Sequence, residues 1–217
     1  MSLFSNAFEY LSKGGPVMVP LMLCSVASVT IMVERFIRLR AVHTHAPNLM
    51  AQIEKHLALH RFGDAVKTAE DEQTLLGDML ATGLKCSDSN TAERCMEEHA
   101  LKAMPELYKY LNILDTIVTI APLLGLLGTV TGMIRAFHVI STKSGLTTPT
   151  AITGGVAEAL IATATGLFIA IVSLVGYNLL TEKAKIIISD MEVYGTRLIN
   201  ILSTESEEKH AVKALGA

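Results

Sequence analysis

The sequence predicts an all-α integral membrane protein with three transmembrane helices, long cytoplasmic helical extensions and its N-terminus outside. Half of the 217 residues are hydrophobic and only 18% are charged. The apolar residues form long blocks, whereas a soluble domain would spread them periodically. Residues 17–33 carry no charge, and residues 113–134 and 154–180 carry one acid each. Because about 20 apolar residues cross the ~30 Å hydrocarbon layer, the second and third blocks are long enough and the first is marginal.

The positions of lysine and arginine predict the orientation of these spans, because positive residues near the spans stay cytoplasmic. Of the 18 basic residues, only Lys13, Arg135 and Lys143 lie in the N-terminal segment or in residues 135–153, at and beyond the outer end of the second span. Basic residues lie directly beside the spans on the opposite side. They are Arg35, Arg38, Arg40, Lys183 and Lys185. The N-terminus is therefore expected outside, and most of the polar protein inside.

Helical spacing and helix breakers divide the rest of the chain. Phe4, Phe8 and Leu11 lie near one helical face before the break at residues 14–16, which predicts a short amphipathic helix at the outer interface. No basic leader with a cleavage site precedes them, so a removable signal peptide is not expected. Residues 47–84 also show helical spacing.

The helix that leads into the second span is expected to start at residue 90. Asn90 and Glu93 have the spacing of an N-cap and its capping-box partner. From there the chain predicts one long helix, or two nearly collinear helices. The predicted segments are an amphipathic segment (1–15), transmembrane helix 1 (16–38), a cytoplasmic helical region (39–105), transmembrane helix 2 (106–140), a periplasmic loop (141–153), transmembrane helix 3 (154–182) and a cytoplasmic C-terminal helix and tail (183–217).

Composition and motifs disfavour several classes of function. The net charge of −3 gives no basic surface for nucleic acid. No GxSxG, HExxH or P-loop pattern occurs, so the sequence predicts neither an enzyme nor a cofactor. His56 and His60 have helical metal-ligand spacing, but without a third ligand a solvated helix face is favoured. The three cysteines are odd in number and lack CxxC spacing, as is typical of a reducing compartment.

Two of the predicted spans carry stripes of small residues. In the second span the stripe is spaced by four, three, four and four residues; it consists of Ala121, Gly125, Gly128, Gly132 and Ala136. The third span has a matching stripe, Ala159, Ala162, Gly166, Ala170 and Ser173. Helices in lipid approach closely along such faces. The stripes predict tight helix contacts, within the chain or between copies of it.

Glu158 is the one carboxylate in the third apolar block, and helix packing does not explain it. An ionised side chain at bilayer depth costs at least about 2.5 kcal/mol. A carboxyl group that is neutral when buried and ionises when water or a cation reaches it is suited to passing protons. The alternative is an acid near the outer end of the span, favoured by the dipole of a helix that starts near Gly154.

Threonine hydroxyls could continue a proton path from this carboxylate, because each can donate and accept a hydrogen bond. Thr129 and Thr131 lie in the second span, and Thr163 and Thr165 in the third. They could equally bond to carbonyl groups of their own helices. On an ideal helix Thr165 points about 20° from Glu158 and Thr163 about 140° away, so spacing alone favours Thr165.

The stretches "APLLGLLGTVTGMIRAF" and "GGVAEALIATATGLFIAIVSLVGYN" closely resemble the motifs of the ExbB/TolQ/MotA proton-channel family, ExbB type. The "ERFIRLR" segment after the first span is similar to that family too. The resemblance is strongest over residues 113–180, and the three-span topology argues against the longer, four-span MotA type. Mapped by motif, it implies that Glu158 is the family's third-span glutamate. It implies Thr129 and Thr163, instead of Thr165, as the pore threonines.

The resemblance also implies partners and a cellular role. Members are homopentamers in the bacterial inner membrane that surround the spans of a dimeric one-span ExbD- or TolR-like protein. They use the proton motive force to drive a TonB-like or TolA-like energy transducer. An ExbB-like role energises outer-membrane transport, and a TolQ-like role maintains the envelope. A passive membrane scaffold remains the rival interpretation; it would need the small-residue stripes but not Glu158 or Thr129. Asp115 and His138 lie outside the family motif, and their roles stay open.

Overall fold

The computed structural model describes residues 14–42, 46–86, 88–142 and 149–215. The predicted amphipathic segment lies outside these residues except at Gly14 and Gly15, and so does the centre of the predicted loop at 143–148. The described residues form seven helices. They are α1 (Met18–Val42), α2 (Ala46–Ala58), α3 (Phe62–Asp71), α4 (Leu75–Leu84), α5 (Ser89–Leu107), α6 (Leu111–Thr142) and α7 (Pro149–Leu215).

The all-α, three-span prediction is confirmed. Among the described residues, three helices are long and apolar enough to cross a membrane, and they lie in α1, α6 and α7. Many large apolar side chains on these helices are exposed, including Leu23 on α1, Phe137 on α6 and Phe168 on α7. In water such a surface would aggregate, whereas lipid or another transmembrane helix covers it without cost.

The chain divides into two compact units. The first contains residues up to Arg35 and residues Tyr110–Leu179, and therefore holds the apolar parts of α1, α6 and α7. Its core is built from small and aliphatic side chains of all three helices: Val17, Met18, Leu21, Ile117, Ala121, Ala162, Ile169 and Ala170. Polar groups in this core are paired. The buried hydroxyls of Ser28 on α1 and Ser173 on α7 lie 2.6 Å apart and share a hydrogen bond.

The second unit contains Phe36–Lys109 and the chain from Leu180 onward. Helices α2 and α4 each bury an apolar face, as the periodicity of residues 47–84 predicts, and α5 buries one as well. Charged side chains at its surface form ion pairs, among them Arg197 with Glu54 and Arg38 with Glu106 at 2.7 Å.

One local prediction needs correction, and one open alternative is decided. The N-cap of α5 is Asp88 and not Asn90, because the Asp88 carboxylate accepts a 3.0 Å hydrogen bond from the backbone N–H of Thr91. Of the two alternatives for the chain leading into the second span, one long helix or two helices, the structure has two helices. Helix α5 ends at Leu107 and α6 begins at Leu111, with Tyr110 in the left-handed region at φ 63° between them.

Candidate functional site

The second and third membrane helices, α6 and α7, contact each other along their small-residue stripes. A Cβ atom added to Gly125 would lie 3.0 Å from the Cα of Thr163, and one added to Gly132 would lie 2.9 Å from the Cβ of Ala159. A Cβ on Gly128 would overlap the methyl group of Ala162. Residue numbers fall on one helix as they rise on the other, so the two helices run antiparallel in direct backbone contact.

Gly166 shows the same close approach from the α7 side. A Cβ there would lie 2.5 Å from the carbonyl oxygen of Ala121 and 3.1 Å from the Cα of Gly125. All four glycines that the sequence selects for helix packing, Gly125, Gly128, Gly132 and Gly166, thus lie between α6 and α7 of one chain. The described contact is therefore within the chain, which is one of the two arrangements that the stripes predict.

Glu158 lies more than two turns inside α7, because this helix begins at Pro149. A helix dipole acts on charges in the first turn and falls off beyond it. The structure therefore does not support stabilisation by the dipole of a helix that starts near Gly154, whereas a position near the outer end of the span stays open. The side chain is partly buried, with 24% of its surface exposed.

Arg135 on α6 is the partner of Glu158. Its guanidinium Nη1 donates a hydrogen bond to the Glu158 Oε1 across 2.6 Å, and the two residues are 23 positions apart in sequence. Both residues adjoin the place where Gly132 meets Ala159, so the close contact of the helices brings their side chains within reach. A charged acid at the edge of the apolar region is tolerated because an opposite charge lies beside it.

Gly15 is a second neighbour of this carboxylate. Its φ of 73° lies in the left-handed region, which glycine adopts without strain. A Cβ on Gly15 would overlap the Oε1 of Glu158, so only a glycine leaves room for the carboxylate here. Its carbonyl oxygen accepts a 3.1 Å hydrogen bond from the N–H of Met18, the first residue of α1. The start of α1 is thereby held against the Glu158 side chain.

Of the two motif threonines, Thr163 donates its hydroxyl hydrogen bond across the helix contact, whereas Thr129 donates within its own helix. The Thr163 hydroxyl donates to the carbonyl oxygen of Gly125 on α6 at 3.0 Å, and is also within 3.4 Å of the carbonyl oxygen of Ala159. The Thr129 hydroxyl donates at 2.7 Å to the carbonyl of Leu126 in its own helix. Both side chains are half-buried. Thr163 lies at the helix contact, and Thr129 one turn further along α6 from Gly125.

Thr165, which ideal spacing favours, donates at 2.8 Å to the carbonyl of Ile161 within α7. Thr131 likewise donates to carbonyl groups of its own helix. Such internal bonds satisfy a hydroxyl in lipid and leave its oxygen able to accept another hydrogen bond. Asp115 and His138 are both exposed on α6.

Sequence reasoning missed Arg135 and Gly15 as neighbours of Glu158. Arg135 was counted only as a charge that sets the orientation, and residues 14–16 only as a helix break. A signal was present, since Arg135 lies three residues after Gly132 of one stripe and Glu158 directly precedes Ala159 of the facing stripe. Pairing the two stripes antiparallel would have placed the two charges together.

The described residues contain no group of three or more His, Cys, Asp or Glu side chains placed to hold a metal ion. Among the described residues, His56 has a buried Nδ1 atom without a hydrogen-bond partner. The described neighbours of the Glu158 carboxylate are the Arg135 guanidinium and the Gly15 backbone.

Several known proteins are similar to this chain. Residues 71–193 match the MotA/TolQ/ExbB proton channel family. The biopolymer transport protein ExbB-like 1 of Synechocystis sp. is 34% identical over 175 residues, which cover 78% of this chain and 68% of that protein. ExbB-like 3 of the same organism is 31% identical over 76% of this chain and 80% of its own length.

The biopolymer transport protein ExbB of Xanthomonas campestris pv. campestris is 30% identical over 66% of this chain and 56% of its own length. The resemblance noted in the sequence is confirmed. Because the family is one of transport channels, the prediction that the protein is not an enzyme is confirmed as well. This chain is a multi-pass membrane protein that belongs to the MotA/TolQ/ExbB proton channel family.

Proposed function

We propose that this chain is the proton-conducting subunit of an inner-membrane motor complex, which uses the proton motive force to energise outer-membrane transport. The observation that carries the proposal is the position of Glu158. It is the one carboxylate of the apolar part of α7, it is partly buried, and it lies beside the contact between Gly132 and Ala159. The names of the relatives, ExbB and ExbB-like, favour an ExbB-like role over a TolQ-like role in envelope maintenance.

The complex is proposed to be a homopentamer around a dimeric one-span ExbD-like partner, which couples to a TonB-like transducer. The exposed apolar faces of α1, α6 and α7 support this assembly, because they leave room for further helices. With the N-terminus outside, Glu158 lies toward the outer leaflet. Protons moving inward would meet Glu158 first and then pass Thr163 and Thr129.

Glu158→Gln tests the proposal, because the substitution nearly keeps shape and removes only the titration. The variant is expected to insert and assemble while partner-dependent proton flux in liposomes is abolished. Asp115→Asn is the matched control, since it removes an exposed acid from the far end of α6. Flux at the wild-type level in Glu158→Gln would refute the proposal, and the passive scaffold would then be the better account.

The alternative TolQ-like role is tested by the partner. In one experiment, the complex should be purified with its co-expressed one-span partner and transducer. In a second experiment, the chain should be introduced into cells that lack their own ExbB or TolQ. Restored outer-membrane uptake supports the ExbB-like role. Restored envelope integrity without uptake would assign the TolQ-like role instead.

A further inference from the structure

We infer that Arg135 is a positioning residue that holds Glu158 in a closed state, in which the carboxylate cannot take up a proton. The inference rests on the proposed role of Glu158 and adds a residue to which the family resemblance assigns no role. Its basis is geometric: the Nη1 atom of Arg135 lies 2.6 Å from the Oε1 atom of Glu158, within one chain.

The ion pair between Arg135 and Glu158 is called the lock, because the chemistry of the guanidinium keeps the carboxylate bound. Arginine stays protonated throughout the accessible pH range, so it cannot itself relay a proton. It binds the carboxylate at its Oε1 atom, the oxygen that faces Gly15. For proton transfer the pair must first separate. The carboxylate then takes one proton from the outer aqueous side and becomes neutral, while the guanidinium keeps its own charge.

Among the described residues near Glu158, no other basic side chain is placed to take over the role of Arg135. Between Gly14 and Glu34, the described part of α1 contains no acidic or basic residue, and it presents the Gly15 backbone to the carboxylate. On α6 the other acidic and basic residues are Asp115, near the opposite end, and His138, one turn beyond Arg135. Within the apolar part of α7 the described chain adds no second charge to that of Glu158.

The exposure of the two side chains fits a pair that opens. Arg135 is 49% exposed, so its guanidinium can swing toward water or headgroups, as long basic side chains near helix ends do. Glu158 is 24% exposed and is confined between α6 and the Gly15 backbone. Opening therefore moves the arginine and leaves the carboxylate in place at the helix contact.

The test measures how readily the Glu158 carboxyl group becomes protonated in the assembled protein. Dicyclohexylcarbodiimide adds to protonated carboxyl groups in membranes, and mass spectrometry locates the adduct. The reagent should be applied to the full chain in native membranes together with its one-span partner. In the wild type, labelling of Glu158 is expected to be slow.

In Arg135→Gln, labelling of Glu158 is expected to accelerate about fivefold or more, since even exposed ion pairs can be worth that factor. Arg135→Lys keeps the charge and should restore most of the protection, which a packing role of the side chain would not do. Labelling of Asp115 in the same samples is the internal control and should stay unchanged. Labelling of Glu158 at the wild-type rate in Arg135→Gln would overturn the inference.

This experiment separates the lock from the proposed function. If Glu158→Gln keeps full proton flux, the proposed function fails, whatever the labelling shows. If Glu158→Gln abolishes flux but Arg135→Gln leaves labelling unchanged, the lock alone fails. A disulfide formed within one chain by cysteines replacing Arg135 and Glu158, with the native cysteines changed to serine, would support their proximity. A crosslink formed only between chains would contradict it.

Discussion

The hydroxyl of Thr163 donates a 3.0 Å hydrogen bond to the backbone carbonyl oxygen of Gly125, on the facing helix. Gly125 makes this bond possible because the absence of a side chain lets the two backbones approach. One motif residue of α7 thus contacts one packing residue of α6. The hydrogen bond between the Thr163 hydroxyl and the Gly125 carbonyl therefore belongs both to the proposed proton path and to the helix contact.

Thr163→Val is expected to lower proton flux while the protein still assembles, because valine keeps the shape and removes the hydroxyl. Loss of the bond to Gly125 should also lower the free energy of unfolding by about 0.5–1 kcal/mol. Thr163→Ser keeps the hydroxyl and should retain flux. Flux in reconstituted liposomes and thermal unfolding in detergent measure the two effects.

Thr165→Val is the matched comparison, since the Thr165 hydroxyl donates only within α7, to Ile161. Normal flux in this variant agrees with the motif-based choice of Thr163. Reduced flux in Thr165→Val, together with normal flux in Thr163→Val, would favour the choice that ideal helix spacing makes. Thr129→Val is expected to behave like Thr163→Val in the flux assay but not to weaken the α6–α7 contact.

Gly128→Ala is expected to destabilise the protein by about 1–3 kcal/mol, the usual cost of overpacking. The new methyl group would overlap that of Ala162, which cannot rotate away. Gly128→Leu should go further and loosen the oligomer in native mass spectrometry. Helix melting followed by circular dichroism measures the first effect.

Gly154→Ala supplies the control for this substitution, because a Cβ at Gly154 meets no atom of the described residues within 4 Å. Alanine there should leave the melting temperature unchanged or raise it slightly, since alanine is the better helix former. Equal melting temperatures for Gly128→Ala and wild type would mean that α6 and α7 do not pack through this stripe.

The N-cap of α5 predicts a pH dependence of stability. Hydrogen bonds from the side chain and the backbone N–H of Thr91 lower the pKa of Asp88 below its ordinary 3.8. The stabilisation by this carboxylate is therefore complete above pH 3.8 and is lost as the pH falls through the lowered pKa of the folded state. Thermal unfolding of the full chain between about pH 2 and pH 6 measures it.

Asp88→Asn keeps a cap without a titrating group, so the stability difference from wild type should shrink as the pH falls below 3.8. Asp88→Ala removes the cap and should be less stable than Asp88→Asn at every pH. A difference between wild type and Asp88→Asn that stays constant down to the lowest pH would contradict the assigned cap.

Cysteine labelling tests the proposed orientation. In a protein without Cys24, Cys86 and Cys95, a cysteine at Ser144 should react with an impermeant thiol reagent in cells with a permeabilised outer membrane. A cysteine at Ser89, in the proposed cytoplasmic region, should not react, because basic residues beside the spans stay inside. The reverse pattern would invert the topology and the direction assigned to the proton path.

The helical fold could be read from the sequence because lipid imposes a simple rule. Uncharged blocks of sufficient length form spanning helices, and small-residue stripes mark where they meet. Local boundaries were harder to read. Both Asp88 and Asn90 can cap a helix, and only the structure shows which carboxylate or amide reaches a backbone N–H. The break before α6 is not marked by a glycine in the sequence. Tyr110 adopts the left-handed conformation there, which glycine usually provides.

The composition of the candidate site could be predicted, but not its connections. Glu158 stood out because a charge in an apolar block is costly. Its contact with Arg135 could not be predicted, because residues 23 positions apart meet only when two helices pair in one specific register. Gly15 was hidden for the same reason. Contacts between helices depend on register and rotation, which a periodicity in one helix does not specify.

The direct backbone contact between α6 and α7 limits how this protein can move. Side chains between two helices can change rotamer and so allow one helix to slide or turn against the other. Along Gly125, Gly128 and Gly132 almost no side-chain atoms are available for such adjustment. Any rotation that a proton gradient drives should therefore carry both helices together as one rigid body. The axis of motion must then lie outside the pair, at surfaces where larger apolar side chains can slip past their neighbours.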